Sequence, residues 1–119
     1  MYHLQYKLFV SMCNALADEV REHHFTTIYG VPRGGLVPAV YLSHLLNKPI
    51  TQEPGPPEET LIVDDIADSG QTLLPFYHKG YTLATLFYHK RSVIEPQFWI
   101  FEKENEWIVF PWEKEHVNK

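Results

Sequence analysis

A single cysteine, Cys13, leaves no partner for an intramolecular disulfide, which fits a reducing compartment. Basic residues are also scarce: 10 lysines and arginines against 15 aspartates and glutamates give a formal net charge of −5. No broad phosphate-coating surface follows from that balance, so no nucleic-acid partner is expected. No apolar run approaches the roughly 20 residues that a membrane-spanning helix needs. The opening stretch MYHLQYKLFV has no basic segment leading into a long apolar one. A soluble, cytoplasmic protein with no membrane partner is expected. The seven histidines show no metal-ligand spacing, and no internal repeat is visible. At 119 residues there is no room for a second core. What remains, 45% hydrophobic and 14% aromatic, is the composition of one globular domain over residues 1–119 rather than of a disordered chain.

Leu8, Phe9, Met12, Cys13, Leu16 and Val20 recur at helical spacing and predict an amphipathic helix over 5–23. Cys13 lies on its apolar stripe and reads as core. TTIYGV (26–31) is a β-branched and aromatic run that predicts a strand. After PRGG, the run from Leu36 to Leu46 suits a helix, with Pro38 in its tolerant first turn. Residues 47–59 carry four prolines and a glycine and read as loop, with a small strand near Ile50. Strands are predicted over 60–63 and 82–88, with a helix over 71–79 between them. FWIF (98–101) and WIVF (107–110) predict two more strands, joined by the polar EKENE. This alternation is the grammar of an α/β fold, a parallel sheet flanked by helices on both faces. In such sheets ligands bind beyond the carboxyl ends of the strands.

Both glycine-containing turns fall at those ends. In DSGQT (68–72), a helix starting near Gln71 would leave amide N–H groups pointing into the turn, an anion site suited to phosphate. Gly70 permits close approach, and Ser69 and Thr72 add hydroxyls. The bland alternative is that Ser69 only caps the helix. Two adjacent carboxylates just upstream, Asp64 and Asp65, argue for a ligand, because they are costly unless sugar hydroxyls or Mg²⁺ meet them. DDIAD also matches the DDxxD pattern of prenyl-transferring enzymes letter for letter. That chemistry needs the carboxylates on one face of a helix, whereas these follow the strand-forming TLIV, so the match is rejected.

LIVDDIADSGQTL (61–73) resembles the phosphoribosyl diphosphate (PRPP) motif of type I phosphoribosyltransferases over all thirteen residues. YGVPRGGLVPAVYLSHLL (29–46) is independently similar to the pyrophosphate loop and following helix of that family, closest to its bacterial xanthine-guanine branch. Arg33 offers a planar fork of donors for diphosphate oxygens, and Gly34 and Gly35 expose amides. Taken alone, RGG could be a flexible basic turn. The resemblance also implies a non-proline cis peptide at Pro32–Arg33. WIVFPWE (107–113) resembles the purine-binding end of the 6-oxopurine members. Carried over, Trp107 would stack on the base, the Ile108 backbone would read the ring edge, and Glu113 would help hold metal. Lys90 falls where the family places a lysine on the purine 6-oxo group. The competing readings are core aromatics for Trp107 and Trp112 and a surface charge for Lys90; core is favoured for Trp112.

The resemblance therefore implies a compact type I core and Mg²⁺-dependent transfer of phosphoribosyl from PRPP to a 6-oxopurine, as in purine salvage. Ser69, Gly70, Gln71 and Thr72, with Asp68, would cradle the 5′-phosphate, and Arg33, Gly34 and Gly35 the pyrophosphate. Asp64 and Asp65 would hold ribose hydroxyls or metal, and Asp68 would face purine N7 as acid/base. A homo-oligomer, dimer or tetramer, is expected. The chain departs from the family in its shortened flexible loop, because the proline-rich 47–59 segment is too short for a lid. The alternative is a non-catalytic PRPP- or nucleotide-binding regulatory module of the same fold.

Overall fold

The helical stripe becomes the buried face of α1 (Tyr6–Val20), with Phe9, Met12, Cys13, Leu16, Ala17 and Val20 inside, in a computed structural model that describes residues 1–114. Burial pushes the Cys13 thiol up to about 12, leaving it inert packing. The expected strands become β2 (Thr27–Gly30), β3 (Thr60–Ala67), β4 (Thr82–Tyr88) and β5 (Phe98–Glu102). They form one all-parallel sheet in the order β2-β3-β4-β5, with Ile28 beside Leu61, Val63 beside Ala84 and Phe87 beside Phe101.

Alternation along the strands sends side chains to both faces. Leu61 and Val63 join Phe9, Leu16 and Leu42 beneath α1 and α2 (Leu36–Leu46), while Ile62 and Leu83 pack with Leu73, Tyr81 and Phe76 beneath α3 (Leu74–His78). Helices thus cover both faces, as expected. Leu16 is fully buried in the first cluster. Leu16→Ala should cost about 2–5 kcal/mol and lower the melting temperature by on the order of 10 °C. A calorimetric shift under about 2 °C would mean that α1 does not dock as described.

The larger departures from the sequence reading lie in β3, in α3 and at the amino terminus. β3 runs on through Asp64 and Asp65 to Ala67, because Asp64, Ile66 and Ala67 find partners on β4. The helix expected over 71–79 starts only at Leu74 and has five residues. Gly70 sits at φ 82°, and residues 71–73 remain in turns. The amino-terminal pair Tyr2–His3 forms β1, parallel to β6 (Ile108–Val109), and the two make a small second sheet.

The 47–59 segment is pinned down rather than raised as a flap. Ile50 bridges to Ile28, as expected for the small strand there. The Tyr81 hydroxyl donates to the Gly55 carbonyl at 2.6 Å, and the Thr60 hydroxyl to the Pro56 carbonyl at 2.8 Å. Among the described residues no helix is long and apolar enough to cross a membrane.

Candidate active site

β2 ends in Gly30, and the chain turns through a cis peptide between Pro32 and Arg33, as the resemblance implied. The Gly35 N–H donates to the Val31 carbonyl at 2.8 Å, and the Leu36 N–H to the Arg33 carbonyl at 3.1 Å, which folds the loop tightly before α2. Gly34 lies directly against the Asp65 side chain, so a Cβ there would overlap the carboxylate. Arg33 and Gly34 line a cavity of about 730 Å³ together with Asp64, Asp65, Thr72 and Glu113.

Asp64 and Asp65 lie near the carboxyl end of β3. Burial, followed by the charge of Asp65, pushes the Asp64 carboxyl up to about 9. Burial also raises Asp65, with Glu113 adding to the rise, while hydrogen bonds from Asp64 and the Ile66 backbone pull the other way. Asp64 Oδ1 accepts from the Asp65 N–H at 2.8 Å. The pair is therefore short of positive charge, which suits sugar hydroxyls or a divalent cation. Among the described residues no group of three metal-binding side chains is preassembled.

The loop 68–72 closes the other side. The Ser69 carbonyl accepts from the Val93 N–H at 2.9 Å, the Gly70 carbonyl from the Leu74 N–H at 3.0 Å, and the Ser69 hydroxyl from the Gln71 N–H at 3.3 Å. With α3 only five residues long and starting at Leu74, the site is a tight turn and not the end of a long dipolar helix. Asp64, Asp65, Asp68, Ser69, Gly70 and Thr72 line a cavity of about 230 Å³. It shares Asp64, Asp65 and Thr72 with the larger one, so the two glycine turns flank one carboxylate pair.

The carboxyl-terminal residues divide. Glu113 reaches the larger cavity while its Oε1 accepts from the Phe110 N–H at 3.0 Å. Trp112 is half-buried, stacked on Phe110 and edge-on to Phe9, the core role expected of it. Trp107 is 54% exposed. β1 takes the carbonyls of Trp107 and Val109, through Tyr2 and Leu4 N–H groups at 2.7 and 2.9 Å. Backbone groups alternate in direction along a strand, so Ile108 presents its own edge away from β1. Lys90 is exposed and lines none of the cavities described.

Two residues outside every motif meet Asp68 instead. Arg91 donates to Asp68 Oδ1 through Nε at 3.1 Å and Nη2 at 2.8 Å, and Lys103 Nζ donates to Oδ2 at 3.1 Å. Partial burial pulls the Asp68 pKa up, but the two cations outweigh it and hold the carboxyl below its usual range. Lys103 had one signal in the sequence: it directly follows the strand FWIFE, at a carboxyl end where ligands bind. Arg91 had none beyond its neighbour Lys90.

No protein-family model matches the chain, and no curated protein does. Solved structures do. A purine phosphoribosyltransferase from Pyrococcus horikoshii shares 30% identity and a TM-score of 0.87, with 99% of this chain and 97% of that one aligned. The xanthine-guanine-hypoxanthine phosphoribosyltransferase of Helicobacter pylori has 21% identity and a TM-score of 0.77 over 94% and 92%. A hypothetical protein from Neisseria gonorrhoeae with bound ppGpp has 18% identity and a TM-score of 0.71 over 95% and 90%. The alignment with the P. horikoshii protein is near-complete on both sides, so the short 47–59 segment is not a truncation relative to it.

Proposed function

This chain belongs to the type I phosphoribosyltransferase family, and from that premise we propose that it transfers 5-phosphoribosyl from PRPP to N9 of a 6-oxopurine, a purine-salvage reaction. The C1′–oxygen bond to the diphosphate breaks, a C1′–N9 bond forms, the base gives up one proton and pyrophosphate leaves. The observation that carries the reading is the pair of contiguous cavities sharing Asp64, Asp65 and Thr72, with the Arg33 turn on one side and the Ser69-Gly70 turn on the other. PRPP has that polarity: a diphosphate at C1′, a phosphate at C5′ and hydroxyls between.

Arg33 and the Gly34–Gly35 amides would hold the diphosphate, and Ser69, Gly70, Gln71 and Thr72 the 5′-phosphate. Asp64 and Asp65 would accept from the ribose hydroxyls, directly or with Mg²⁺ and Glu113. The cation would supply positive charge against the departing diphosphate. Holding both substrates in register is the larger part of such catalysis, because it replaces a bimolecular encounter by a positioned one. Trp107 would stack on the base and the Ile108 edge would bond it.

The test is nucleotide formation from PRPP and Mg²⁺ with guanine, hypoxanthine, xanthine, adenine, orotate or uracil. A lysine ammonium that meets an amino group instead of an oxo group is left unpaired, a loss of roughly 1–3 kcal/mol. The 6-oxopurines should therefore exceed adenine by at least about tenfold, since 1.4 kcal/mol is tenfold. A preference for adenine or a pyrimidine overturns the 6-oxopurine reading. PRPP binding without product from any base would leave the non-catalytic module.

A further inference from the structure

The turn expected to hold the 5′-phosphate is short of positive charge. Residues 68–72 contain no lysine or arginine, and the cavity that Ser69, Gly70 and Thr72 line has Asp64, Asp65 and Asp68 on its walls. A phosphate placed there meets like charge, which is unfavourable unless cations lie close by. Two of them stand behind the turn, on Asp68. Arg91 meets Oδ1 with Nε and Nη2, and Lys103 meets Oδ2. One carboxylate charge thus faces two cations, and the surplus sits at the edge of the cradle.

The segment that carries Arg91 also holds the turn in shape. Residues 89–94 follow β4. The His89 N–H donates to the Ala67 carbonyl at the end of β3, and the Val93 N–H to the Ser69 carbonyl, both at 2.9 Å. Ser92 Oγ occupies the space that a Cβ on Gly70 would need. Ile94 is buried in one cluster with Ala67 and Leu73, so both ends of the segment are fixed.

His89 folds the middle. Its imidazole is buried. Nδ1 accepts from the Arg91 N–H at 3.0 Å, and Nε2 meets the Asn105 side-chain oxygen at 3.2 Å. With Nδ1 accepting, a neutral ring carries its proton on Nε2 and donates it to Asn105. The Ser92 N–H closes the turn on the His89 carbonyl at 2.8 Å. The ring therefore fixes the backbone of Arg91, and the Arg91 guanidinium fixes Asp68. Neither His89 nor Arg91 has a role in the motifs.

Resting on the reading of residues 68–72 as a 5′-phosphate cradle, we infer that residues 89–94 brace it. Arg91 is a positioning residue that offsets the Asp68 charge and locks the turn for phosphate, and His89 is a positioning residue that aims Arg91.

Titration calorimetry with ribose 5-phosphate and with pyrophosphate, each with Mg²⁺, tests this on the full chain, because each probe fills one side of the site. A preorganised loop avoids the cost of ordering on binding, and a displacement near 1 Å costs on the order of a hundredfold. Arg91→Ala should weaken ribose 5-phosphate by at least about tenfold while pyrophosphate stays within about twofold of wild type. His89→Leu should show the same split, because it removes the acceptor for the Arg91 N–H. His89→Asn should keep ribose 5-phosphate within about threefold, since an asparagine oxygen accepts from the N–H two residues on. A folded Arg91→Ala protein that binds ribose 5-phosphate as wild type does, or weakens for both probes in equal proportion, overturns the brace. Should His89→Leu fail to fold, Arg91→Ala decides alone, its side chain being 59% exposed. A wild type that binds pyrophosphate but not ribose 5-phosphate overturns the brace together with the cradle. If wild type binds both probes yet makes no nucleotide, the transferase reading fails, and the split between the probes still decides the brace.

Discussion

Asp64→Asn should raise the melting temperature of the ligand-free protein and remove at least about 99% of the magnesium-dependent affinity for PRPP expected of it. The first effect follows from where the carboxyl titrates. Asp64 moves from an ordinary 3.8 to about 9 in the fold, through burial and the charge of Asp65. Between those values the folded chain holds a proton that the unfolded chain has released. Stability rises with pH only where the unfolded state binds more protons. Here the folded state binds more, so the Asp64 contribution declines as pH rises from about 4 towards 9. Asparagine has no charge to bury and can keep the acceptor that Asp64 Oδ1 offers the Asp65 N–H. The gain in melting temperature should thus be several degrees at pH 8 and vanish near pH 4. The second effect follows from the ligand side. At about pH 9, where the carboxylate is available, two hydrogen bonds to a charged group, at about 1.5–3 kcal/mol each, exceed the roughly 2.8 kcal/mol that corresponds to a hundredfold in affinity. Thermal melts across pH 4 to 9 and PRPP titrations with and without Mg²⁺ measure both. A destabilised variant, or one that binds PRPP as wild type does, would remove Asp64 from the site.

Such a trade of stability for a ligand is also why the site was legible before the fold. Adjacent carboxylates at Asp64-Asp65 near the end of a strand, followed by a turn through Ser69-Gly70, break local rules in a way that a ligand would repair. In the structure two glycine turns flank one carboxylate pair. The fold was legible where patterns are long: α2 and β4 fall on the expected residues, and the alternation of strands with helices foretold a parallel sheet with helices on both faces. Short elements were not. Two residues at Tyr2–His3 carry no periodicity, and they are a strand only because Ile108 and Val109 lie beside them. α3 was started three residues too early because propensity does not reveal that residues 71–73 stay in the turn after Gly70. Lys103 was hidden for a different reason. It sits 35 residues from Asp68, and the two meet because β4 and β5 stack in order beyond β3. EKENE, read as a polar connection, gave no sign of that.

Gly34→Ala should weaken PRPP binding by at least about a hundredfold, although it adds one methyl group to a surface turn. The reason is the neighbour. An added Cβ at Gly34 overlaps the carboxylate of Asp65 and would lie within 2.9 Å of Asp65 Oδ1, where real Cβ atoms are essentially never found. Asp65 has little room to yield, because Asp64 and Ile66 on either side of it are paired to β4. The Arg33–Gly35 turn must therefore lift away from the carboxylates. It would carry Arg33 with it, and the diphosphate and ribose subsites would separate. A displacement near 1 Å at such a site costs on the order of a hundredfold. The fold should survive, because the turn lies outside the two apolar clusters. A double-mutant cycle isolates the contact. If the clash is the cause, Asp65→Ser in the Gly34→Ala background should recover part of the lost thermal stability, with a coupling of about 0.5–3 kcal/mol. Additive melting temperatures, or PRPP affinity within about threefold of wild type for Gly34→Ala alone, would show that the two motifs do not share one site.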